Sequence, residues 1–469
     1  MQRDIFANLS PLDHRYYLSD PKLAEELSTY LSEGALIRYQ LEVEAALVKV
    51  LARRGLCPEE AAEQVQKAIE QITPEEVYAE EEKTRHNIRA LVNCIRARVA
   101  DDVKPFIHLA ATSMDIVDTA NSIRFREATE KVVLPALVEL ERLLIEIARR
   151  EKNTLQMGRT HGQHAVPITF GFAVVQYVSR LGERIKLVEK TARNLRGKFA
   201  GAVGAYNASS LFFDDPETFE KEVLEEVGLL PSETSTQVVQ PEYLTDFIHA
   251  ITSTFGVLAN LADDFRHLQR TEISEVGEYF AKDQVGSSTM PHKRNPWNFE
   301  HVKSLWKEFA PRIITMYMDQ ISEHQRDLTN SASQRFLVEM VAGLVLAAKR
   351  LTKVLGKLAV DRKRMRENFE STSQMVIAEP LYILLATAGH PDAHECVRKL
   401  TLKAEQEGKQ LPELVASSEE LEPYLSKLTA QQKEILISPE TYLGASVRKV
   451  ETICQRWEQY LDQRGEENA

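Results

Sequence analysis

The sequence predicts an all-α fold in three domains, with a central bundle of long helices. Two observations predict it. Breakers are scarce, with 19 glycines and 18 prolines in 469 residues, too few for a chain of many short strands and turns. Apolar residues also recur at steps of three and four over long stretches, the pattern of helices packed along a seam. The hydrophobic content of 43% is enough to bury a real core. A length of 469 residues suggests two or three domains.

Residues 1–111 mix helical segments with turns and read as an N-terminal helical domain. Within Leu31–Ala52, Leu36, Ile37, Leu41, Val43, Leu47, Val48 and Leu51 fall at helical spacing. Pro58 and Pro74 punctuate the next stretch of chain, and the acidic run Glu75–Glu82 reads as a solvated helix face. Residues 112–364 read as the central bundle. Thr112, Ser113 and Asp115 read as capping residues before a helix over Ile116–Arg150, in which Pro135 removes a backbone donor and should introduce a kink. Tyr243–Glu272 carries Phe247, Ile251, Phe255, Leu258, Leu261, Phe265 and Leu268 along one seam. Phe336–Leu358 repeats the habit with Met340, Val341, Leu344, Leu351, Val354 and Leu358. Thirty helical residues make a rod of roughly 45 Å, and several side by side form an elongated bundle. Residues 365–469 read as a small C-terminal helical domain, broken near Gly389-His390-Pro391 and at Pro439. No strand-rich region is expected, short strands within turns aside.

The formal net charge is −12, and no basic tail stands out, which argues against nucleic acid as a partner. A small anionic ligand is still compatible, because a pocket can be locally positive on an acidic protein. The cysteines, Cys57, Cys94, Cys396 and Cys454, are scattered without a CxxC pair, so free thiols in a reducing cytoplasm are expected. No apolar run near 18 residues and no signal-peptide core are evident, so no membrane partner is expected.

Polar clusters interrupt the helical background. They are Arg15-Tyr16, Arg85-His86-Asn87, the stretch His108–Asp115, GRTHGQHAVPITFG at 158–171, Ser235-Thr236-Gln237, GSSTMPHKRNP at 286–296 and QRDLTNSASQR at 325–335. Each has a plain structural alternative. An isolated histidine can be a satisfied core residue. Thr112 and Ser113 can simply cap a helix, although its N-terminus would still suit an anion. Arg326 and Arg335 can be ordinary salt-bridge partners. His161 and His164 stand three apart, but no carboxylate or thiolate completes a metal set nearby. Hydrolase elbows, phosphate loops and dinucleotide fingerprints are missing. The loop at 286–296 is the most informative cluster. One glycine and two prolines make it non-helical, and it offers hydroxyls, His292, Lys293, Arg294 and Asn295 to an anion.

That loop closely resembles the signature of the fumarase/aspartase superfamily, and the other clusters follow in that superfamily's order from about residue 10 to 340. The resemblance implies an all-α homotetrameric lyase whose active sites are shared between subunits. It also implies a reaction in which fumarate leaves by β-elimination. The MPHKRNP form and the Arg15-Tyr16 pair are similar to the branch acting on succinyl-purine nucleotides, which implies a small-molecule nucleotide substrate and no metal or organic cofactor. By that resemblance His161 is the general acid and Ser288 the general base. Arg15, Tyr16, Arg85, His86, Asn87, His108, Thr112, Ser113 and Gln237 contact substrate. Lys293 and Asn295 hold the fumarate portion, and Arg326, Ser331 and Arg335 contact the nucleotide. Asn87 departs from the pattern, standing where Asp is common, so one contact there loses its charge.

The chemistry suits these residue types. Removing a proton beside a carboxylate puts a second charge on that group, and cations with amide donors absorb it. A serine base must be activated in a closed, dry site, which implies that the loop closes over substrate. The rival readings are a sibling such as a carboxymuconate cycloisomerase or argininosuccinate lyase, and a non-catalytic helical scaffold.

Overall fold

The computed structural model describes residues 4–280, 289–290 and 292–467. Its chain is mostly helix, with three two-stranded sheets as the strand content among the described residues. It divides into two compact units. Each boundary of that division falls inside a helix rather than in a loop.

The first unit comprises residues 1–137, 184–256 and 304–348. Several of its helices begin at a side-chain cap. Ser32 Oγ accepts the Ala35 N–H at 3.1 Å ahead of the Glu33–Arg53 helix. Thr73 and Glu76 exchange reciprocal capping bonds ahead of Pro74–Thr84, satisfying two amides that the first turn leaves open. The acidic run on that helix is largely solvent-facing, as expected. Ile37, Val43, Leu47 and Leu51 from Glu33–Arg53 pack with Leu91, Ile95, Ile116 and Phe219 in one buried cluster. Further along, Phe125 lies 5.9 Å from Phe247 between ring centroids, and Phe255 stacks on Phe309 at 6.2 Å. A short parallel pair joins Arg196–Gly197 to Leu230–Pro231.

The expected single helix over Ile116–Arg150 is corrected. The α-helix runs Ser113–Ala128, a π-turn occupies Thr129–Val133, and α-helix resumes over Leu134–Arg150. The Leu134 N–H reaches back to the Thr129 carbonyl. Pro135 has no N–H for the usual ladder, and a π-turn just before it absorbs the missing bond. Thr112 is the N-cap, so Ser113 already lies inside the helix. The seam helices are trimmed at their ends, to Pro241–Leu268 and Leu337–Leu355, and their named apolar residues are buried, apart from Leu268 and Leu358, which are partly buried.

The second unit comprises residues 138–183, 257–303 and 349–469. Phe265 packs between Phe170 and Phe299, with centroids at 6.1 and 5.7 Å. Gly182 leaves room for Trp457, whose ring would meet a Cβ there at 2.4 Å. The C-terminal helices Ala378–Thr387, Ala393–Glu407 and Leu411–Ala416 share a core of Leu381, Leu385, Val397 and Leu411. An antiparallel pair joins Val276–Gly277 to Ala359–Val360. The element the periodicity does not reveal is a β-hairpin, Leu155–Thr160 paired with Gln163–Thr169. Among the described residues no helix is long and apolar enough to cross a membrane.

Candidate active site

In the second unit, His161 stands at the tip of that hairpin. Thr160 pairs with Gln163, so the loop is His161-Gly162 alone. Both have positive φ, 54° and 73°, the backbone that a two-residue turn requires to match strand twist. His161 is therefore exposed and held by its strands. The hairpin is fixed from below. Arg159 donates to both oxygens of Glu275, at 2.6 and 3.2 Å, and Gln156 Nε2 donates to the same carboxylate at 2.8 Å. Asn368 adds a fourth bond at 2.9 Å. Glu275 is wholly buried, and it precedes the strand Val276–Gly277 that leads toward the signature loop. His161 and the stem of that loop are thus tied to one carboxylate. His164 Nδ1 lies 2.7 Å from Thr372 Oγ1, and burial together with the Arg159 charge lowers its pKa.

The far end of the loop is also framed. Glu278 accepts the Asn298 and Phe299 N–H groups at 2.9 and 3.0 Å. Gln269 accepts the Glu278 N–H and donates to the Arg294 carbonyl. Lys293 is exposed, with its N–H on the Met290 carbonyl at 2.9 Å, and Asn295 is partly buried. Ser288 lies outside the described residues.

In the first unit, His108 has a left-handed backbone, φ 65°, and its Nδ1 lies 2.6 Å from Oε1 of the buried Glu44. Burial alone would lower its pKa, but the Glu44 charge and hydrogen bond outweigh that and raise it. Asp115 and Arg89 also act on the ring, so the Asn87–Arg96 helix approaches here. His86 caps that helix, its Nδ1 accepting the Arg89 N–H at 3.3 Å. Asn87 Oδ1 accepts the adjoining Ile88 N–H at 2.8 Å. Arg85 is exposed at the left-handed end of Pro74–Thr84. Arg15, also exposed, and Tyr16 begin the short helix Arg15–Ser19.

The Thr112 N–H donates to Asp115 Oδ2 at 2.7 Å. One turn on, Asp118 Oδ2 accepts the Val239 N–H at 2.9 Å. Val239 stands two residues after Gln237, whose own N–H donates to the Gln325 carbonyl at 3.2 Å. Gln237 is thereby seated beside the Arg326 segment. Arg326, at φ 95°, donates from Nη1 to the Asp319 carbonyl at 2.7 Å. Its buried Nε and the buried Oδ1 of Asn121 have no hydrogen-bond partner among the described residues. Both residues line a cavity of about 50 Å3 with Asp118, Arg196 and Asn330. Burial pushes the Asp118 carboxyl up to about 6. Ser331 and Arg335 are exposed just beyond, and the Arg335 charge reaches Tyr78 on Pro74–Thr84.

Among the described residues, His390, Cys396 and Glu420 bring metal-ligating atoms within 4.8 Å of one another. His390 Nδ1 already accepts the Asp392 N–H at 3.1 Å, and burial raises the Cys396 thiol, so neither is primed as a ligand. His161 and His164 take part in no such group among the described residues.

A family model described as lyase matches residues 14–307, and one described as adenylosuccinate lyase C-terminal matches residues 322–442. The chain is 34% identical over 461 residues to the adenylosuccinate lyase of Pyrococcus abyssi, covering 97% of this chain and 99% of that one. The chain belongs to the adenylosuccinate lyase family. It is also 34% identical to the adenylosuccinate lyase of Methanocaldococcus jannaschii, over 95% of each chain. The 3-carboxy-cis,cis-muconate lactonizing enzyme of Pseudomonas putida shares the fold, with a TM-score of 0.80 at 24% identity over 94% of this chain and 100% of that one.

For this member of the adenylosuccinate lyase family, sequence reasoning missed Glu44, Asp118, Glu275 and Lys198. Glu44 left a signal, as a carboxylate that falls at helical spacing between Leu41 and Val48 on the apolar stripe of Glu33–Arg53. A carboxylate there needs a buried partner. Asp118 repeats Asp115 at helical spacing. Nothing local marks Glu275 or Lys198, because their charged partners, Arg159 and Asp115, lie far along the chain.

Proposed function

We propose that this lyase releases fumarate from adenylosuccinate, giving AMP, and from the succinyl-aminoimidazole-carboxamide ribotide, giving AICAR. The observation that carries this reading is the full-length similarity to adenylosuccinate lyases. The first unit supports it. Gln237 and Arg326 are joined through the Gln325 carbonyl, beside a guanidinium nitrogen that is unpartnered among the described residues and suits an anion.

In this reading Ser288 removes the proton beside a succinyl carboxylate. Lys293 and Asn295 absorb the charge that grows on that carboxylate, and losing one such donor costs about 3–4 kcal/mol. His161 gives a proton to the leaving nitrogen, a role an imidazole side chain can fill. Arg15, Tyr16, Arg85, His86, Asn87, His108, Thr112, Ser113 and Gln237 bind substrate, and Arg326, Ser331 and Arg335 take the nucleotide. The loop closes to dry the site, and no metal or organic cofactor takes part. A protease-protection assay with a substrate analogue checks closure. Equal cleavage of the 286–296 loop with and without analogue would count against it.

The enzyme works as a cytoplasmic homotetramer whose sites draw on several subunits. Ile314, Tyr317, Met318 and Ile321 support this, since they recur at steps of three, one and three yet all are exposed. An ultraviolet assay of purified protein with each purine substrate tests the activity. Turnover of carboxymuconate or argininosuccinate instead would move the chain to a sibling reaction.

A further inference from the structure

Lys198 has no part in the reaction just described, yet it is wholly buried and tied to two of the segments that would bind substrate. Its Nζ pairs with Asp115 Oδ1 and donates to the Gly201 carbonyl at 3.0 Å. Desolvating an ammonium is costly, so such a group persists only where its contacts offset that cost.

Both contacts lead to the proposed binding residues. The other oxygen of Asp115 holds the Thr112 N–H at 2.7 Å, which fixes Thr112 and Ser113 at the start of their helix. Gly201 opens a turn with φ 79°, and Gly204 closes it with φ 75°. Gly204 is pressed against the segment that carries Gln237: a Cβ on it would lie 1.9 Å from the Ser235 carbonyl oxygen. No other residue could sit there without moving Ser235. Beyond Ser235, the Thr236 N–H bonds the Val238 carbonyl at 3.0 Å, and the Val239 N–H returns to Asp118 on the same helix as Asp115. The Lys198 N–H also meets Thr119 Oγ1 at 3.2 Å. One cation therefore joins the helix that presents Thr112 and Ser113 to the turn on which Ser235–Gln237 rests.

We propose that Lys198 is a positioning residue, setting the 112–113 and 235–237 segments in mutual register for substrate. The inference rests on the substrate-binding roles given above. An ordinary buried ion pair would stabilise the fold and do nothing else, and the test is built on that difference.

Lys198→Met leaves Asp115 buried without its partner and lowers Tm. Lys198→Met combined with Asp115→Asn removes both charges and restores most of the Tm. It does not restore the bond to Gly201. The pair variant is expected to keep kcat within about threefold of wild type while KM for adenylosuccinate rises about tenfold or more. Hydrogen exchange read by mass spectrometry is expected to quicken at 201–206 and 235–239. Gly204→Ala, which leaves both charges in place, is expected to give the same KM-weighted loss. A pair variant with wild-type KM and unchanged exchange in those segments overturns the proposal. So does failure of both the single and the pair variant to fold, which would assign Lys198 to stability alone. If the wild type releases no fumarate while exchange quickens as expected, the assigned reaction fails and the positioning stands.

Discussion

His108 shows how a buried carboxylate can raise the pKa of its neighbour against the effect of burial. Glu44 raises the histidine's pKa, so the histidine favours folding below its ordinary value near 6.5, and that contribution is lost as pH rises through the raised value. Glu44→Gln should bring the His108 titration down, and NMR of the ring carbons reads it directly. An unmoved midpoint would mean that Glu44 does not set the proton. His161 allows a cleaner substitution than alanine. Its φ of 54° is one that asparagine accepts, so His161→Asn keeps the turn and removes the proposed proton donor. Turnover should fall about 10²–10⁴-fold with KM little changed. Near-normal turnover would remove His161 from the acid role. At this scale the sequence was legible where a motif is contiguous, as at 286–296. The pairings of Glu44 with His108 and of Lys198 with Asp115 were not, because those partners stand 64 and 83 positions away.

The helices were legible because their burial pattern repeats locally every three or four residues. The Pro241–Leu268 and Leu337–Leu355 helices follow it nearly to their ends. The π-turn at Thr129–Val133 was only half legible. Pro135 announced an irregularity but not its form. The hairpin was illegible for a different reason. Its strands are anchored by Glu275, more than a hundred positions away, rather than by an alternating apolar face. That anchor makes a prediction. Glu275→Ala leaves Arg159 without its partner and should destabilise the fold by about 3–5 kcal/mol. Urea unfolding measures the loss, and hydrogen exchange should localise it to the 155–169 hairpin. A loss under about 1 kcal/mol would mean that the hairpin stands without Glu275.

For the whole molecule, the long seams pointed to an all-α architecture, while the convergence of distant polar segments could not be read from spacing. A sequence gives the order of segments and not which carbonyl meets which amide, as Gln237 meets Gln325. The exposed row Ile314, Tyr317, Met318 and Ile321 belongs to this scale. Charging it, with Ile314→Asp and Met318→Asp together, should dissociate the proposed tetramer and reduce activity with it. Sedimentation velocity reads the assembly state, and an unchanged, active tetramer would place the contact elsewhere. The central claim is that a serine in the signature loop and a histidine on the hairpin together expel fumarate. The most direct measurement follows fumarate release from adenylosuccinate by ultraviolet absorbance for wild type, Ser288→Ala and His161→Asn. The account predicts ready turnover by the wild type and near-complete loss in both variants, with substrate still bound. Ready turnover by either variant, or none by the wild type, would contradict it.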